Sequence, residues 1–331
     1  MKYNNPFHGD ALNDRTFLIT GGAGFIGSGI CEYLLQHGAA KVRVLDNLSE
    51  GRQQNIQPWI DRPNFEFIEG DITDPATCAA AVRGIDLVSH QAALGSVPRS
   101  IANPQATHDA NVTGFLNMLT ASRDAGVQRF VYASSSSVYG DHPGLPKREA
   151  EIGQPLSPYA ASKRMNEIYA DVFRRAYNFP SIGLRYFNVF GPRQKPDGSY
   201  AAVIPLFMDA LLKGDPAHIN GDGEQSRDFT FLANAVEANI RAMVEASEEA
   251  CGRVYNVAFG QRRTINQLYA VLQKLVGSEA AAVYRDPRPG DVRDSLADIS
   301  LANEHLGYQP QYDIDKGLSL TLQWFRGAFG N

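Results

Sequence analysis

Short apolar runs alternate with amphipathic stretches through the first half of the chain. Arg15 to Thr20, Lys41 to Leu45, Phe65 to Ile72, Ile85 to His90 and Gln128 to Ala133 are brief and rich in Val, Ile, Leu and Phe, as buried strands are. Between them the pattern turns helical. Ile26, Ile30 and Leu34 predict a helix running to about His37, and residues 107–125 predict a longer one that carries Asn111. Tyr159 to about Tyr177 predicts another, with Ser157 as its cap and Pro158 at its entry. Strands and helices in this alternation predict a parallel, doubly wound sheet. Ile182 to Asn188 adds a sixth strand, and there the rhythm changes. Segments 201–213, 230–247, 264–276 and 314–328 predict helices, separated by short strands at His218 to Asn220 and Val254 to Val257. Gly221-Asp222-Gly223 and Arg288-Pro289-Gly290-Asp291 are turns. Residues 1 to about 13 are polar and predict a loose arm, or a cover for a neighbouring surface.

Composition narrows the class. The chain has 331 residues, 44% hydrophobic and 20% charged, enough for a large core in one or two domains. A net charge of −5 gives no reason to expect nucleic acid as a partner. No apolar run reaches about 18 residues and no hydrophobic segment leads the chain, so we expect no membrane association and a cytoplasmic location. Cys31, Cys78 and Cys251 are odd in number and widely spaced, which predicts free thiols. The His residues form no zinc pattern, so no metal is expected.

The candidate chemistry lies where the predicted strands end. Gly21-Gly22-Ala23-Gly24-Phe25-Ile26-Gly27 follows the first strand and opens the first helix. Gly21, Gly24 and Gly27 permit a tight turn, close backbone approach to a pyrophosphate and close packing of helix on strand. The helix N-terminus offers free N–H groups to that anion. Asp46 ends the second strand, where an acid binds both adenosine ribose hydroxyls and repels a 2′-phosphate, favouring NAD over NADP. Asp71 is placed to contact the adenine. The small residues of Gln91-Ala92-Ala93 let backbone approach the cofactor, and His90 reads as packed rather than catalytic. Ser134 to Ser137 end the fifth strand, and Tyr159 and Lys163 share a helix face about a turn apart. A phenol ionises near pH 10, so acting as a base near neutrality requires roughly 4 kcal/mol of help. One ammonium about 4 Å away supplies roughly that at an effective dielectric of about 20. Arg227, Arg288 and Arg293 are candidates for a phosphate clamp.

Assembled in this order, the residues predict an α/β fold: a Rossmann-type doubly wound parallel sheet with a smaller mixed α/β C-terminal substrate domain. Residues 1–185 are expected to form the NAD-binding part and 186–331 mainly the nucleotide-sugar part, with some chain crossing back. The chain resembles the extended short-chain dehydrogenase/reductase family of nucleotide-sugar enzymes. The resemblance rests on Thr20 to Gly27, Asp46-Asn47, Gly70-Asp71-Ile72, His90 to Ala93, Ser134 to Gly140, Tyr159 with Lys163, Arg185-Tyr186-Phe187-Asn188 and Arg227-Asp228-Phe229. Within the family it is similar to bacterial UDP-N-acetylglucosamine 4-epimerases of the UDP-galactose 4-epimerase type, found in surface-polysaccharide pathways. Ala93 to Ser100, Tyr139 to Pro146 and Asp291 to Asp298 carry that narrower match.

The resemblance implies roles residue by residue. Tyr159 is the base, Lys163 lowers its pKa, and Ser135 relays or stabilises the proton. Asp46 and Asn47 hold the ribose, and Phe25 and Ile26 lie beside the pyrophosphate. Asp71, Ile72, Gln91, Ala92, Asn111 and Phe187 complete the cofactor side. Asn188, Ala202, Val203, Asn220, Arg227, Arg288 and Asp291 correspond to the nucleotide-sugar site. Gly95, Ser136, Gln194 and Ser295 surround the sugar ring and its acetamido group, and Ser295 leaves room where hexose-restricted members carry an aromatic. The implied partner across a two-fold axis is a second copy, joined by helices 107–125 and 159–177 in a four-helix bundle. Phe115, Leu119 and Phe173 are the expected outward apolar positions, though they also suit a core.

The resemblance also implies the reaction. The family's dehydratases place an Asp-Glu pair where this chain has Ser136-Ser137. Its decarboxylases carry a Glu before the position of Tyr139, and its carbon-3 and carbon-5 epimerases a Cys at this strand end; this chain has neither. Simple 4-epimerisation through a transient 4-keto sugar is left, with NAD kept throughout. UDP-N-acetylhexosaminuronic acids and UDP-glucose/UDP-galactose are the alternative substrates. A regulator without catalysis and a structural oligomer with incidental NAD are the readings from other classes. The intact Ser135, Tyr159 and Lys163 oppose the first, and the sugar-site match opposes the second.

Overall fold

The computed structural model describes residues 3–9, 12–194, 196, 202–287 and 293–329. Six strands come from residues 16–186: β1 (Thr16–Thr20), β2 (Lys41–Asp46), β3 (Phe65–Glu69), β4 (Leu87–His90), β5 (Arg129–Ser135) and β6 (Ser181–Tyr186). A seventh, β7 (Arg253–Val257), comes from beyond residue 186. They form one sheet in the order β7-β6-β5-β4-β1-β2-β3. Every neighbouring pair is parallel. The connections run outward in both directions from β1 and β4, so these two strands form the switch point, where such sheets bind ligands.

Side chains alternate across the sheet and each face meets its own helices. Phe17, Ile19, Val42 and Val44 point into a core shared with Ile30 and Leu34 of α1 (Phe25–Gln36). Leu18, Leu45, Val88 and Phe130 point the other way, toward α2 (Pro75–Ala81), α3 (Gly114–Asp124) and α4 (Pro158–Tyr177). α5 (Val203–Lys213), α6 (Leu232–Ile240), α7 (Ile265–Val276) and α8 (Ile314–Phe329) follow. The buried side chains of α6 join the α1 core, so the later half supplies both a strand and a helix to the first layer. No helix among the described residues is long and apolar enough to cross a membrane.

Three local expectations need correction. The described residues of the N-terminal arm are not loose but cover a neighbouring surface, the other of the two expectations for this segment. Phe7 stacks on Tyr33 with ring centroids 5.0 Å apart, and its N–H donates to the Tyr33 hydroxyl at 2.6 Å. Tyr3, Phe7 and Leu12 are buried against α1 because they are the arm's apolar anchors. The predicted helix 107–125 is interrupted. Pro104–His108 and α3 are separated by a π-turn at Asp109–Thr113, whose Asn111 carbonyl accepts from Asn166 Nδ2 at 2.7 Å. Phe115, Leu119 and Phe173 face the sheet, not outward. The outward apolar positions of α4 are Met165, Ile168, Tyr169 and Val172, spaced three to four apart.

Candidate active site

The turn after β1 can be made only with glycine at its tight points. Gly21 has φ +66°, and a Cβ there would sit 2.8 Å from the Ala92 backbone N. A Cβ at Gly27 would lie 2.2 Å from the Gly21 carbonyl oxygen. With that space empty, α1 starts against the strand end and points its first N–H groups into a cleft of about 1020 Å³.

Gly21, Gly24, Phe25, Ile26, Gly27, Asp46, Asn47, Asp71, Ile72, Gln91, Ala92, Gly95, Ser135, Tyr159 and Lys163 all line this cleft. Asp46 Oδ2 accepts from Ala23 N at 3.0 Å and Oδ1 from Leu48 N at 2.8 Å, so the carboxylate is fixed at the rim of the glycine turn. Burial would raise the Asp71 carboxyl, but Thr73 and Asn47 outweigh it and hold it below its usual range. The Asn47 amide donates to Asp71 Oδ2 at 2.8 Å, joining the ends of β2 and β3. A glycine cradle with no room for a Cβ, a helix N-terminus and a fixed acid at the second strand end suit a dinucleotide that carries two ribose hydroxyls. Among the described residues no group of His, Cys, Asp or Glu fits a metal ion.

Ser135, Tyr159 and Lys163 converge from two elements. Ser135 ends β5, and α4 begins at Pro158 with the Ser157 hydroxyl accepting from Ala160 N at 3.1 Å. Burial raises the Tyr159 phenol, and a hydrogen bond with Ser135 opposes it. Burial pushes the Lys163 ammonium down to about 8, while Nζ donates to the Ala133 carbonyl at 2.9 Å. The Lys163 ammonium is thereby held at Ala133, one strand position before the serine run.

A smaller lobe of about 280 Å³ adjoins. Asn188, Gln194 and Ala202 line both lobes, while Val203, Asn220 and Arg227 line the smaller. Arg227 Nη1 donates to the carbonyls of Ser226 and Arg293, each at 2.9 Å. Arg293 reaches outward to Asp222 and lines neither lobe. Arg288 and Asp291 lie outside the described residues.

Four predicted residues stand behind the walls. Asn111 lines neither lobe; it grips Leu94 from both sides, accepting from its N–H at 2.7 Å and donating to its carbonyl at 3.1 Å. It therefore shapes the Gly95 loop instead of touching the cleft. Phe187 is packed against Tyr139 in a separate apolar cluster. Ser136 begins a short 3-10 turn and leaves the wall to Ser135. Ser295 is 9% exposed with its N–H on the Ser226 carbonyl, and its hydroxyl has no partner among the described residues. His90 is packed against Phe130, its Nδ1 2.9 Å from Thr20 Oγ1, and burial first, then Lys163, pushes it down to about 3.

The sequence reading quoted Arg185 and Asp228 only as parts of motifs, and it missed how they and their partners hold these walls. Glu167 and Arg185 pair beneath the serine run. Asp228, buried under the smaller lobe, accepts from the backbone N–H groups of Phe259, Gly260 and Ala297 and is pushed up to about 7 by its burial. Arg99 meets Glu50 at 2.7 Å on the cleft rim, and Arg193 meets Glu32 at 2.8 Å. These partners are far apart in sequence, and no local spacing announces them.

Residues 17–258 match the model of the NAD dependent epimerase/dehydratase family. A UDP-glucose 4-epimerase of Mycolicibacterium smegmatis is 38% identical over 93% of this chain and 98% of its own length. The structure of a UDP-N-acetylglucosamine 4-epimerase from Methanobrevibacter ruminantium, in complex with UDP-N-acetylmuramic acid, is 39% identical with a TM-score of 0.88, over 95% of this chain and 99% of that one. A UDP-glucuronic acid 4-epimerase variant from Bacillus cereus, solved with a fluorinated UDP-glucuronic acid and NAD, is 30% identical with a TM-score of 0.88, over 95% of this chain and 100% of that one.

Proposed function

The chain belongs to the NAD-dependent epimerase/dehydratase family, and on that footing we propose that it is a UDP-sugar 4-epimerase acting on UDP-N-acetylglucosamine and UDP-N-acetylgalactosamine. The observation that carries this reading is the convergence of Ser135, Tyr159 and Lys163 on one wall, with serines and no acid pair after Ser135. NAD, when bound, supplies the capacity to take up a hydride and give it back. Tyr159 takes the proton of the sugar 4-hydroxyl as carbon 4 is oxidised. Ser135, hydrogen-bonded to Tyr159, steadies that proton. When the 4-keto sugar has turned over in the pocket, Tyr159 returns the proton to the oxygen and the opposite hydroxyl configuration results. Proton transfer of this kind contributes about 10²–10⁴-fold.

One orphaned polar atom on the wall shared by the two lobes supports an N-acetylated sugar. Gln194 Oε1 is buried without a partner among the described residues. A buried unpaired polar atom is costly, and an acetamido group brings both a donor and an acceptor. Space supports it as well, since a Cβ built on Gly95 would meet nothing within 4 Å. We further propose that two copies pair through the exposed apolar stripe of α4, and that the enzyme supplies a cytoplasmic surface-polysaccharide pathway. The relatives that act on UDP-glucose and on UDP-glucuronic acid define the competing substrates. Product analysis with UDP-N-acetylglucosamine, its uronic acid, UDP-glucose and UDP-glucuronic acid tests the choice. The N-acetylated neutral sugar should give the highest kcat/KM, and a higher value for any other would reassign the substrate.

A further inference from the structure

We propose that Arg193 is a positioning residue that ties the wall shared by the two lobes to α1, and so sets Gln194 against the sugar. The inference deepens the epimerase reading and rests on it.

Arg193 has φ +73°, a left-handed conformation that a residue with a Cβ rarely adopts. The side chain shows what holds it there. Nη2 donates to Glu32 Oε2 at 2.8 Å, Nη1 lies 3.4 Å from Ser28 Oγ, and the guanidinium carbon stands 5.6 Å from the Trp59 ring centroid. The Arg193 and Glu32 side chains are 15% and 13% exposed, so the pair is screened far less than a surface pair. Arg193 lines the larger lobe, whereas Glu32 and Ser28 line neither. Both belong to α1, the helix that starts at the glycine turn.

The next residue is Gln194. Its Nε2 donates to the Val189 carbonyl at 3.0 Å, which leaves Oε1 buried without a partner among the described residues, on a side chain that lines both lobes. An amide oxygen only accepts, so its complement is an O–H or N–H of the ligand. A strained backbone held by a remote ion pair fixes where that acceptor points. Glu32 thereby acts on the sugar through Arg193, without touching it.

The test compares binding of UDP with binding of UDP-N-acetylglucosamine to purified, NAD-loaded protein by calorimetry, for wild type, Glu32→Gln, Arg193→Met and Arg193→Gly. Glycine accepts the left-handed backbone, so Arg193→Gly separates the guanidinium from the strain. Each variant should bind the UDP-sugar at least about fivefold more weakly and bind UDP within twofold of wild type, with KM raised more than kcat is lowered. Glu32→Gln with Arg193→Met should be no worse than the worse single variant, as members of one network are not additive. Unchanged sugar affinity in Glu32→Gln and Arg193→Gly would overturn the proposal. Equal weakening of UDP and UDP-sugar would also overturn it, by showing a merely structural pair. A wild type that binds UDP but no UDP-sugar would overturn the epimerase reading itself and this inference with it.

Discussion

Arg185 and Glu167 form a two-pronged, fully buried ion pair beneath the active-site serines, Nε to Oε1 at 2.8 Å and Nη2 to Oε2 at 2.9 Å. Ser134 Oγ donates to the same Glu167 Oε1 at 2.6 Å. Glu167 lies one turn beyond Lys163 and two beyond Tyr159 on α4, so this pair fixes how the catalytic face meets the end of β5. Removing one partner leaves a buried charge uncompensated, which typically costs about 3–5 kcal/mol. Glu167→Gln should therefore lower the urea midpoint markedly and reduce turnover in the molecules that still fold. An unfolding free energy within about 0.5 kcal/mol of wild type would remove the pair from the account.

Tyr159→Phe removes the ionisable oxygen and leaves the cleft wall in place. Turnover should fall more than about a hundredfold, the usual size of a general-base effect. Bound NAD should remain after gel filtration, because the glycine turn and Asp46 are untouched. A loss below about tenfold, measured by product formation, would take the base role from Tyr159.

His90 gives the fold an acid limit. Burial holds its imidazole neutral until about pH 3, whereas an unfolded chain takes up the proton near 6.5. Between those values the unfolded state binds more protons, so stability falls as pH falls. The slope belonging to this one group is about 1.4 kcal/mol per pH unit. His90→Asn keeps a polar partner for Thr20 and cannot titrate. Denaturant unfolding from pH 6 to 4 should show a shallower loss by about that slope, and an identical slope would assign the acid limit elsewhere.

The stripe Met165, Ile168, Tyr169 and Val172 leaves apolar surface on α4 uncovered, with Ile168 48% exposed. Paired on a two-fold axis, each copy would cover the other's stripe. Ile168→Glu would bring two carboxylates together there. Sedimentation should show a dimer for the wild type and monomer for the variant at micromolar concentration. A monomeric wild type would contradict the pairing.

Local chemistry made much of this molecule legible. The glycine turn, Asp46, the serine run and Tyr159 with Lys163 each depend on residues close in sequence, so spacing alone placed them on strand ends and one helix face. Direction was harder. Periodicity marks Phe115, Leu119 and Phe173 as a face but does not tell which side the sheet lies on, and their size belongs to the core. Tyr3 and Phe7 carry no period at all, so the arm read as loose although two rings suffice to anchor it on Tyr33. Glu32 with Arg193 and Glu167 with Arg185 were invisible for another reason. An ion pair is specified by where the chain returns, and neither partner announces the other.

The most direct test of the central claim follows the hydrogen on carbon 4. UDP-N-acetylglucosamine deuterated at that carbon is incubated with purified protein and no added cofactor, and both sugars are analysed by mass and by proton spectra. If one NAD takes the hydride and returns it to the other face, UDP-N-acetylgalactosamine should form with the deuterium retained at carbon 4 and no NADH should accumulate. Product formed with loss of the label, or NADH accumulating in proportion to an oxidised or dehydrated sugar, would contradict the account.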